Sequence, residues 1–107
     1  MDRDDSDTPL YMIGIVAQML SIHPQTLRLY EREELIRPKR SEGKTRLYSS
    51  RDVERVKFIT HLTRDMGVNL AGVEIIFRMR EKMEEMQKEM DRLSNYIKEG
   101  SKKEMRR

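Results

Sequence analysis

Length, composition and charge limit the chain to a few classes of protein. It has 107 residues, of which 38% are charged and 36% hydrophobic, so one domain with a core of modest size is expected. It contains no cysteine, which excludes disulfides, thiolate metal sites and cysteine-ligated iron–sulfur clusters. No secretory pattern opens the sequence, and its longest nearly apolar run, Leu10 to Leu20, is too short to span a bilayer. A cytoplasmic protein without a membrane partner is expected.

The formal net charge of +3 is unevenly distributed along the chain. Residues 1–9 contain four Asp and one Arg and lack an apolar pattern, so a disordered acidic N-terminus is predicted. Residues 24–57 contain ten Arg or Lys against six Asp or Glu. The positive charge is therefore concentrated in one segment, as in nucleic-acid-binding proteins.

Two short helical patterns flank Ser21-Ile22-His23. The first, from Gly14 to Leu20, has apolar residues at amphipathic spacing, and the second begins with Pro24, which suits the first helical position. His23 lies at the expected N-cap, where a turn role or a phosphate contact is favoured over catalysis or metal binding. Two helices joined by a three-residue turn are typical of a helix-turn-helix, whose second helix enters the major groove of DNA.

The second helix has two distinct faces at i, i+3, i+4, i+7 spacing. One face carries Gln25, Arg28, Leu29 and Arg32. The other carries Leu27, Tyr30, Glu31 and Glu34. Gln suits adenine and Arg suits guanine or phosphate, but any amphipathic surface helix has polar residues on its outer side. On this segment alone the two interpretations have equal weight.

A basic hairpin is predicted after this helix. Two β-prone pieces, near Leu35–Ile36 and Arg46–Tyr48, flank a segment that contains Pro38 and Gly43. The cations of the segment are Lys39, Arg40, Lys44 and Arg46. A solvated charged loop is the alternative, but the adjacent helix-turn-helix favours a wing that binds phosphates or enters the minor groove.

Two further helices are predicted. Ser49 and Asp52 form a capping-box pattern at the start of the third helix, whose apolar repeat ends at Gly67. His61 falls outside this repeat and is expected at the surface. Asn69 is suited to cap the fourth helix.

The fourth helix continues into an unbroken heptad pattern with spacings of 3 and 4. Its a and d positions are Ile76, Met79, Met83, Met86, Met90, Leu93 and Ile97. So narrow an apolar stripe needs a partner helix, and the same helix of a second subunit is predicted, parallel or antiparallel. The predicted organisation is a DNA-binding domain at 10–78, a coiled-coil helix at 79–99 and a basic disordered tail at 100–107.

Residues 11–80 resemble the DNA-binding domain of the MerR family. The resemblance is carried by the run from His23 to Arg32, then by Leu35-Ile36-x-Pro38, Arg46-Leu47-Tyr48-Ser49, Asp52-Val53 and Phe58-Ile59. Residues 22–28 and 68–73 are similar to the HspR branch, which contains repressors of chaperone operons. The resemblance implies a mainly α fold with a winged helix-turn-helix, an antiparallel dimerisation coiled coil, an inverted-repeat operator and an Hsp70 chaperone of the DnaK type as co-repressor.

The resemblance also implies a set of DNA contacts. They are Gln25, Thr26, Arg28 and Arg32 from the second helix, and Lys44, Arg46 and Tyr48 from the wing. The residue pattern alone would place Tyr48 in the core. Where the family usually has Gly after the reading helix, this chain has Glu34, which would be strained in the left-handed conformation that closes many helices.

Three functional hypotheses follow. A dimeric repressor is favoured, and a chaperone-modulating protein that binds a J-domain co-chaperone instead of DNA is the alternative. The cations Arg28, Arg32, Lys44 and Arg46 argue against that alternative, because a protein-binding module does not need them. An enzyme is rejected, because no nucleophile–base constellation, paired carboxylates or phosphate-binding Gly loop is present. No cofactor or metal is expected, and the regulatory signal is expected from a partner protein or from temperature.

Overall fold

The computed structural model describes residues 6–105. In chain order the elements are β1 (Tyr11–Met12), α1 (Ile13–Leu20), α2 (Pro24–Arg32), β2 (Lys39–Arg40), β3 (Arg46–Tyr48), α3 (Ser50–Thr60), a π-helical turn (His61–Asp65) and α4 (Leu70–Met105). The chain divides into two compact units, one up to Asn69 and one from Leu70 onward. The mainly α prediction is confirmed.

The strands form a small antiparallel sheet in the order β1-β3-β2. In β3, Leu47 lies opposite Met12 on one side and Lys39 on the other. The hairpin is therefore present, but its first strand is not at Leu35–Ile36 as predicted. Those two residues form no strand. They belong to the segment that connects α2 to β2, and their apolar side chains are buried, at 3% and 1% exposure.

The core of the first unit is formed by apolar residues of α1, α2, the wing and α3. Its fully buried side chains are Val16, Leu27, Ile36, Tyr48, Val56 and Ile59. Burying a Leu or Val side chain contributes about 1.5–3 kcal/mol, so this set is a major source of the hydrophobic stabilisation of the unit.

The start of α3 is capped as predicted. The Ser49 hydroxyl accepts a hydrogen bond from the Asp52 N–H at 3.0 Å, and the Asp52 carboxylate accepts one from the Ser49 N–H at 2.9 Å. The Arg51 N–H donates to the Ser6 carbonyl at 2.9 Å, and its side chain pairs with Asp7. Of the N-terminal segment predicted to be disordered, residues 1–5 lie outside the described part, whereas Ser6 and Asp7 are held by these contacts.

The end of α2 places Glu34 in the left-handed conformation that usually favours Gly. Glu34 has a φ of 61°, its N–H donates to the Glu31 carbonyl, and the Leu35 N–H donates to the Tyr30 carbonyl, each at 2.9 Å. These two bonds form a Schellman motif, in which the left-handed position favours Gly. The helix ends in the turn that Gly would allow, and Glu34 is strained there.

The second unit is one helix of 36 residues, about 54 Å long at 1.5 Å per residue. It is continuous across the boundary predicted between residues 78 and 79. It also continues through Gly100 to Met105, so the described part of the tail predicted to be disordered is helical; Arg106 and Arg107 lie outside it. Within residues 6–105, no helix combines the length and the apolar character needed to cross a membrane.

Candidate nucleic-acid interface

The turn between α1 and α2 is fixed by local hydrogen bonds. Ser21 adopts a φ of 55°, and the Ile22 N–H donates to the Ala17 carbonyl at 3.0 Å. Ile22 is buried. His23 is the N-cap of α2: its Nδ1 accepts a hydrogen bond from the Gln25 N–H at 3.0 Å, which gives His23 a role in the turn. The conformation fixes the direction in which α2 leaves α1.

The helix α2 has one buried and one accessible side. Leu27 is 0% exposed and Tyr30 5%. On the accessible side, Gln25 and Arg32 are exposed and Thr26 and Arg28 are half-buried. Among the described residues, no acidic side chain pairs with Arg28 or Arg32. These guanidinium groups are available for an anionic partner.

The wing tip is a three-residue loop, residues 42–44. The Ser41 N–H donates to the Thr45 carbonyl and the Lys44 N–H to the Ser41 carbonyl, both at 2.8 Å. Lys44 has a φ of 67°, the left-handed position that follows a tight turn in hairpins of this length. The loop presents the exposed side chain of Lys44 to solvent.

The wing and α2 are joined through Glu31. One oxygen of its carboxylate, Oε2, lies 3.2 Å from Arg40 Nη2, and the other, Oε1, accepts from Arg46 Nε. Arg46 is therefore already paired within the protein, unlike Arg28 and Arg32. The predicted wing contacts thus differ: Lys44 is exposed, whereas Arg46 is half-buried and paired with Glu31.

A cationic concavity of about 410 Å³ lies between α2 and the wing. Its lining residues are Arg28, Glu31, Arg32, Arg40 and Arg46. Four guanidinium groups against one carboxylate leave a formal excess of three positive charges. Guanidinium groups bind phosphate oxygens in a bidentate manner, so the concavity has the chemistry of a phosphate-backbone site.

Tyr48 is not placed as the resemblance implies. Its side chain is 0% exposed, and its hydroxyl is buried without a hydrogen-bond partner among the described residues. Burial, and after it the nearby Glu31 carboxylate, raises the pKa of Tyr48 to about 12. A hydroxyl without accessible surface cannot contact DNA in this conformation, so Tyr48 is a core residue, as the residue pattern alone indicated.

Sequence reasoning missed the role of two residues. Arg40 was noted only as a wing cation, and Glu31 was assigned to a helix face without a partner. The available signal was the placement of Arg40 and Arg46 at equal distance from the hairpin tip, because like charges opposite each other in a ribbon require a counter-charge.

The predicted dimer residues lie along α4. Ile76 is half-buried, and the remaining heptad positions are 52–65% exposed. Those exposed positions are Met79, Met83, Met86, Met90, Leu93 and Ile97. From Arg78 to Met105 every described residue is exposed. An apolar stripe of this length on a helix that is itself uncovered is typical of a protein-interaction surface.

A helix-turn-helix followed by a cationic wing defines a winged helix-turn-helix DNA-binding domain. Residues 11–80 match the MerR HTH family of regulatory proteins. The chain belongs to this family, and residues 11–80 are its helix-turn-helix domain.

Three known proteins illustrate the relationship. The heat shock protein HspR of Streptomyces coelicolor is 43% identical over 76% of this chain, which spans about half (54%) of that relative. The regulator GlnR of Bacillus anthracis is 35% identical over the whole chain and 79% of its own length. The crystal structure of HiNmlR, a MerR family regulator lacking the sensor domain and bound to promoter DNA, has the same fold: the TM-score is 0.57 at 17% identity, covering 81% of this chain and 77% of that one.

Proposed function

We propose that the protein is a homodimeric repressor of heat-shock and chaperone genes that binds an inverted-repeat operator. An Hsp70-type chaperone of the DnaK class is its proposed co-repressor. The observation that carries this proposal is the pairing of an accessible cationic helix face with an uncovered heptad stripe in one short chain. The cationic helix face would bind one DNA half-site, and the heptad stripe would join two such chains.

The DNA contacts proposed for each subunit come from both elements. From α2 they are Gln25, Thr26, Arg28 and Arg32. From the wing they are Lys44 and Arg46. The accessible position of the α2 residues supports base or phosphate contacts, and so does the absence, within residues 6–105, of a carboxylate paired with Arg28.

Dimerisation through α4 is supported by the energetics of an isolated helix. A helix without tertiary contacts is marginal in water, and its stability in proteins comes mainly from packing an apolar face. The stripe from Met79 to Ile97 is such a face. Two copies related by a twofold axis match the symmetry of an inverted repeat.

The heat-shock assignment rests on similarity to HspR. The 43% identity extends over 81 residues, which are 76% of this chain. The sequence resemblance to the chaperone-repressing branch lies in residues 22–28 and 68–73. Regulation by Hsp70 would bring the signal through a partner protein, which agrees with a chain in which no small-molecule site was predicted.

Footprinting on genomic DNA, with and without purified Hsp70, tests operator binding and co-repression together. Protection of an inverted repeat upstream of a chaperone gene, extended or strengthened by Hsp70, is the expected result. Protection without any Hsp70 effect would reject the co-repressor. Absence of protection, with binding to a J-domain co-chaperone, would favour the chaperone-modulating alternative.

The contribution of Arg28 to operator affinity can be measured separately. Arg28→Ala should weaken operator binding by about 1–3 kcal/mol if the guanidinium contacts a base. Lys88→Ala, which removes the same charge from an exposed position of α4, is the matched control. Equal affinities of the two variants would remove Arg28 from the contact set.

A further inference from the structure

Arg40 and Arg46 lie directly opposite each other in the β2–β3 ribbon. Two like charges at opposed positions of an antiparallel pair destabilise it. The Glu31 carboxylate, which projects from α2, contacts both guanidinium groups, one with each oxygen. A single acidic side chain therefore both offsets the repulsion within the wing and ties the wing to the reading helix.

The environment of Glu31 makes this contact stronger than an ordinary surface ion pair. The Glu31 side chain is 22% exposed and that of Arg46 27% exposed. Partly buried charges are screened less by solvent and salt than exposed ones. Arg40 extends the connection to the tip, because its Nη1 donates to the Lys44 carbonyl at 3.2 Å.

Glu31 provides the side-chain hydrogen bonds between α2 and the wing strands. In the part of the chain that the structure describes, the bonds to Arg40 and Arg46 are the ones that join these elements. The neighbouring Glu34 pairs with Arg37, which precedes the wing, and that pair is more than 70% exposed on both sides. Apart from the apolar core, the polar connection between the wing strands and α2 thus runs through one carboxylate.

We propose that Glu31 is a positioning residue that fixes the wing against α2 and so sets the spacing between helix and wing contacts along DNA. This proposal rests on the proposed DNA-binding role of α2 and the wing. Glu31 itself makes no favourable contact with phosphate, because both are anionic. Its effect is on sequence discrimination, since base contacts by the helix require the register that backbone contacts by the wing impose.

The first test needs no DNA. Glu31→Gln keeps the shape of the side chain but removes its charge. It also replaces one of the two acceptor oxygens by an NH2 group, which cannot accept from an arginine. Hydrogen exchange of the Ser41, Lys44 and Thr45 amides should become faster by about tenfold, because the wing opens locally more often. Glu33→Gln, which removes the same charge next to the end of α2, should leave these rates unchanged. Unchanged wing exchange in Glu31→Gln would overturn the proposal.

The second test measures discrimination. An inverted repeat selected by the wild-type protein from a random duplex pool is compared with a scrambled duplex of the same composition. Glu31→Gln should lower the preference for the repeat on the order of tenfold, comparable to one mismatched base pair. Affinity for the scrambled duplex should stay equal or increase, because two guanidinium groups are released.

The pattern of losses separates positioning from general damage. A variant that is only less stable would lose affinity for both duplexes in parallel, and that result, or a retained preference, would overturn the proposal. If the wild-type protein selects no repeat, the proposed operator binding fails, while the hydrogen-exchange comparison still decides whether Glu31 holds the wing.

Discussion

The apolar side chains of the first unit and those of α4 beyond Arg78 differ in their exposure to solvent. Up to Asn69, Leu27, Val56 and Ile59 are fully buried, and the unit has its own core. In α4 the methionines from Met79 to Met90 are more than half exposed. Buried apolar side chains are typical of a folded domain, whereas a stripe of exposed ones is typical of an interface. The contrast implies that substitutions in this stripe change the formation of the proposed dimer while leaving the core of the DNA-binding unit intact.

The largest expected effect comes from placing a charge in the centre of the apolar stripe of α4, the seam of the proposed dimer. Met86→Glu would bury one unpaired carboxylate per subunit, which costs several kcal/mol. The dimer Kd should then rise by about a thousandfold or more, as measured by sedimentation equilibrium. Asn95→Glu, at an outer heptad position of the same helix, is the control. A dimer that survives Met86→Glu would show that the seam is not the interface.

A second prediction concerns the buried hydroxyl of Tyr48. Tyr48→Phe removes an unpaired polar group from the core, so the free energy of unfolding at neutral pH should increase by about 1 kcal/mol. Urea unfolding measures this change. Tyr96→Phe, at a side chain that is 78% exposed, should change nothing. A lower operator affinity of Tyr48→Phe would contradict the burial and restore Tyr48 as a DNA contact.

The free energies of unfolding of wild type and Tyr48→Phe should depend differently on pH. The pKa of Tyr48 is raised from 10.0 to about 12 in the folded protein, so the folded state retains this proton more tightly than the unfolded state. The contribution of the protonated Tyr48 hydroxyl to the free energy of unfolding is fully present below the pKa of the unfolded state. It is lost as pH rises through the pKa of the folded state. Wild type should therefore lose stability between pH 10.0 and about pH 12 relative to Tyr48→Phe. A constant difference across this window would contradict the raised pKa.

A smaller effect is expected from stiffening the seam. Met is flexible and specifies packing less well than Leu. Replacing Met83, Met86 and Met90 by Leu should raise the melting temperature, measured at a fixed protein concentration because dissociation and unfolding are coupled. No increase would show that the methionine seam is not a source of softness on heating.

The smallest effect concerns the strained end of α2. Glu34→Gly relieves a left-handed conformation and should stabilise the protein by about 0.5–1 kcal/mol after the greater flexibility of the unfolded chain is included. Glu33→Gly, where φ is −82°, should destabilise it. Thermal denaturation of both variants gives the comparison, and destabilisation of similar size in both would argue against strain at Glu34.

Local signals predicted much of the fold. Pro24 marks the start of α2, Ser49 and Asp52 cap α3, and Gly67 follows its π-helical end. These features depend on near neighbours in the chain. The heptad spacing also predicted the helical, exposed stripe of α4, although the helix extends beyond the pattern to Met105, through a Gly100 that disfavours helix.

Other features depend on contacts between distant residues. Tyr11 pairs with Tyr48 in the sheet, and neither position carries a local strand signal that identifies its partner. Leu35 and Ile36 are apolar because they are buried, not because they form a strand. The pairing of Glu31 with two wing arginines requires the side chains to be placed in space, so spacing could indicate the need for a counter-charge but not its source.

The most direct measurement is an equilibrium titration of an intact inverted repeat, a single half-site and a scrambled duplex with wild-type protein and Met86→Glu. A dimer that binds DNA predicts tight wild-type binding only to the intact repeat, with two chains per duplex. Met86→Glu should lose about 10²–10⁴-fold in affinity for the repeat, because in a dimer the second half-site is bound at a high effective concentration. Equal wild-type affinity for repeat and half-site, or for repeat and scrambled duplex, would contradict it.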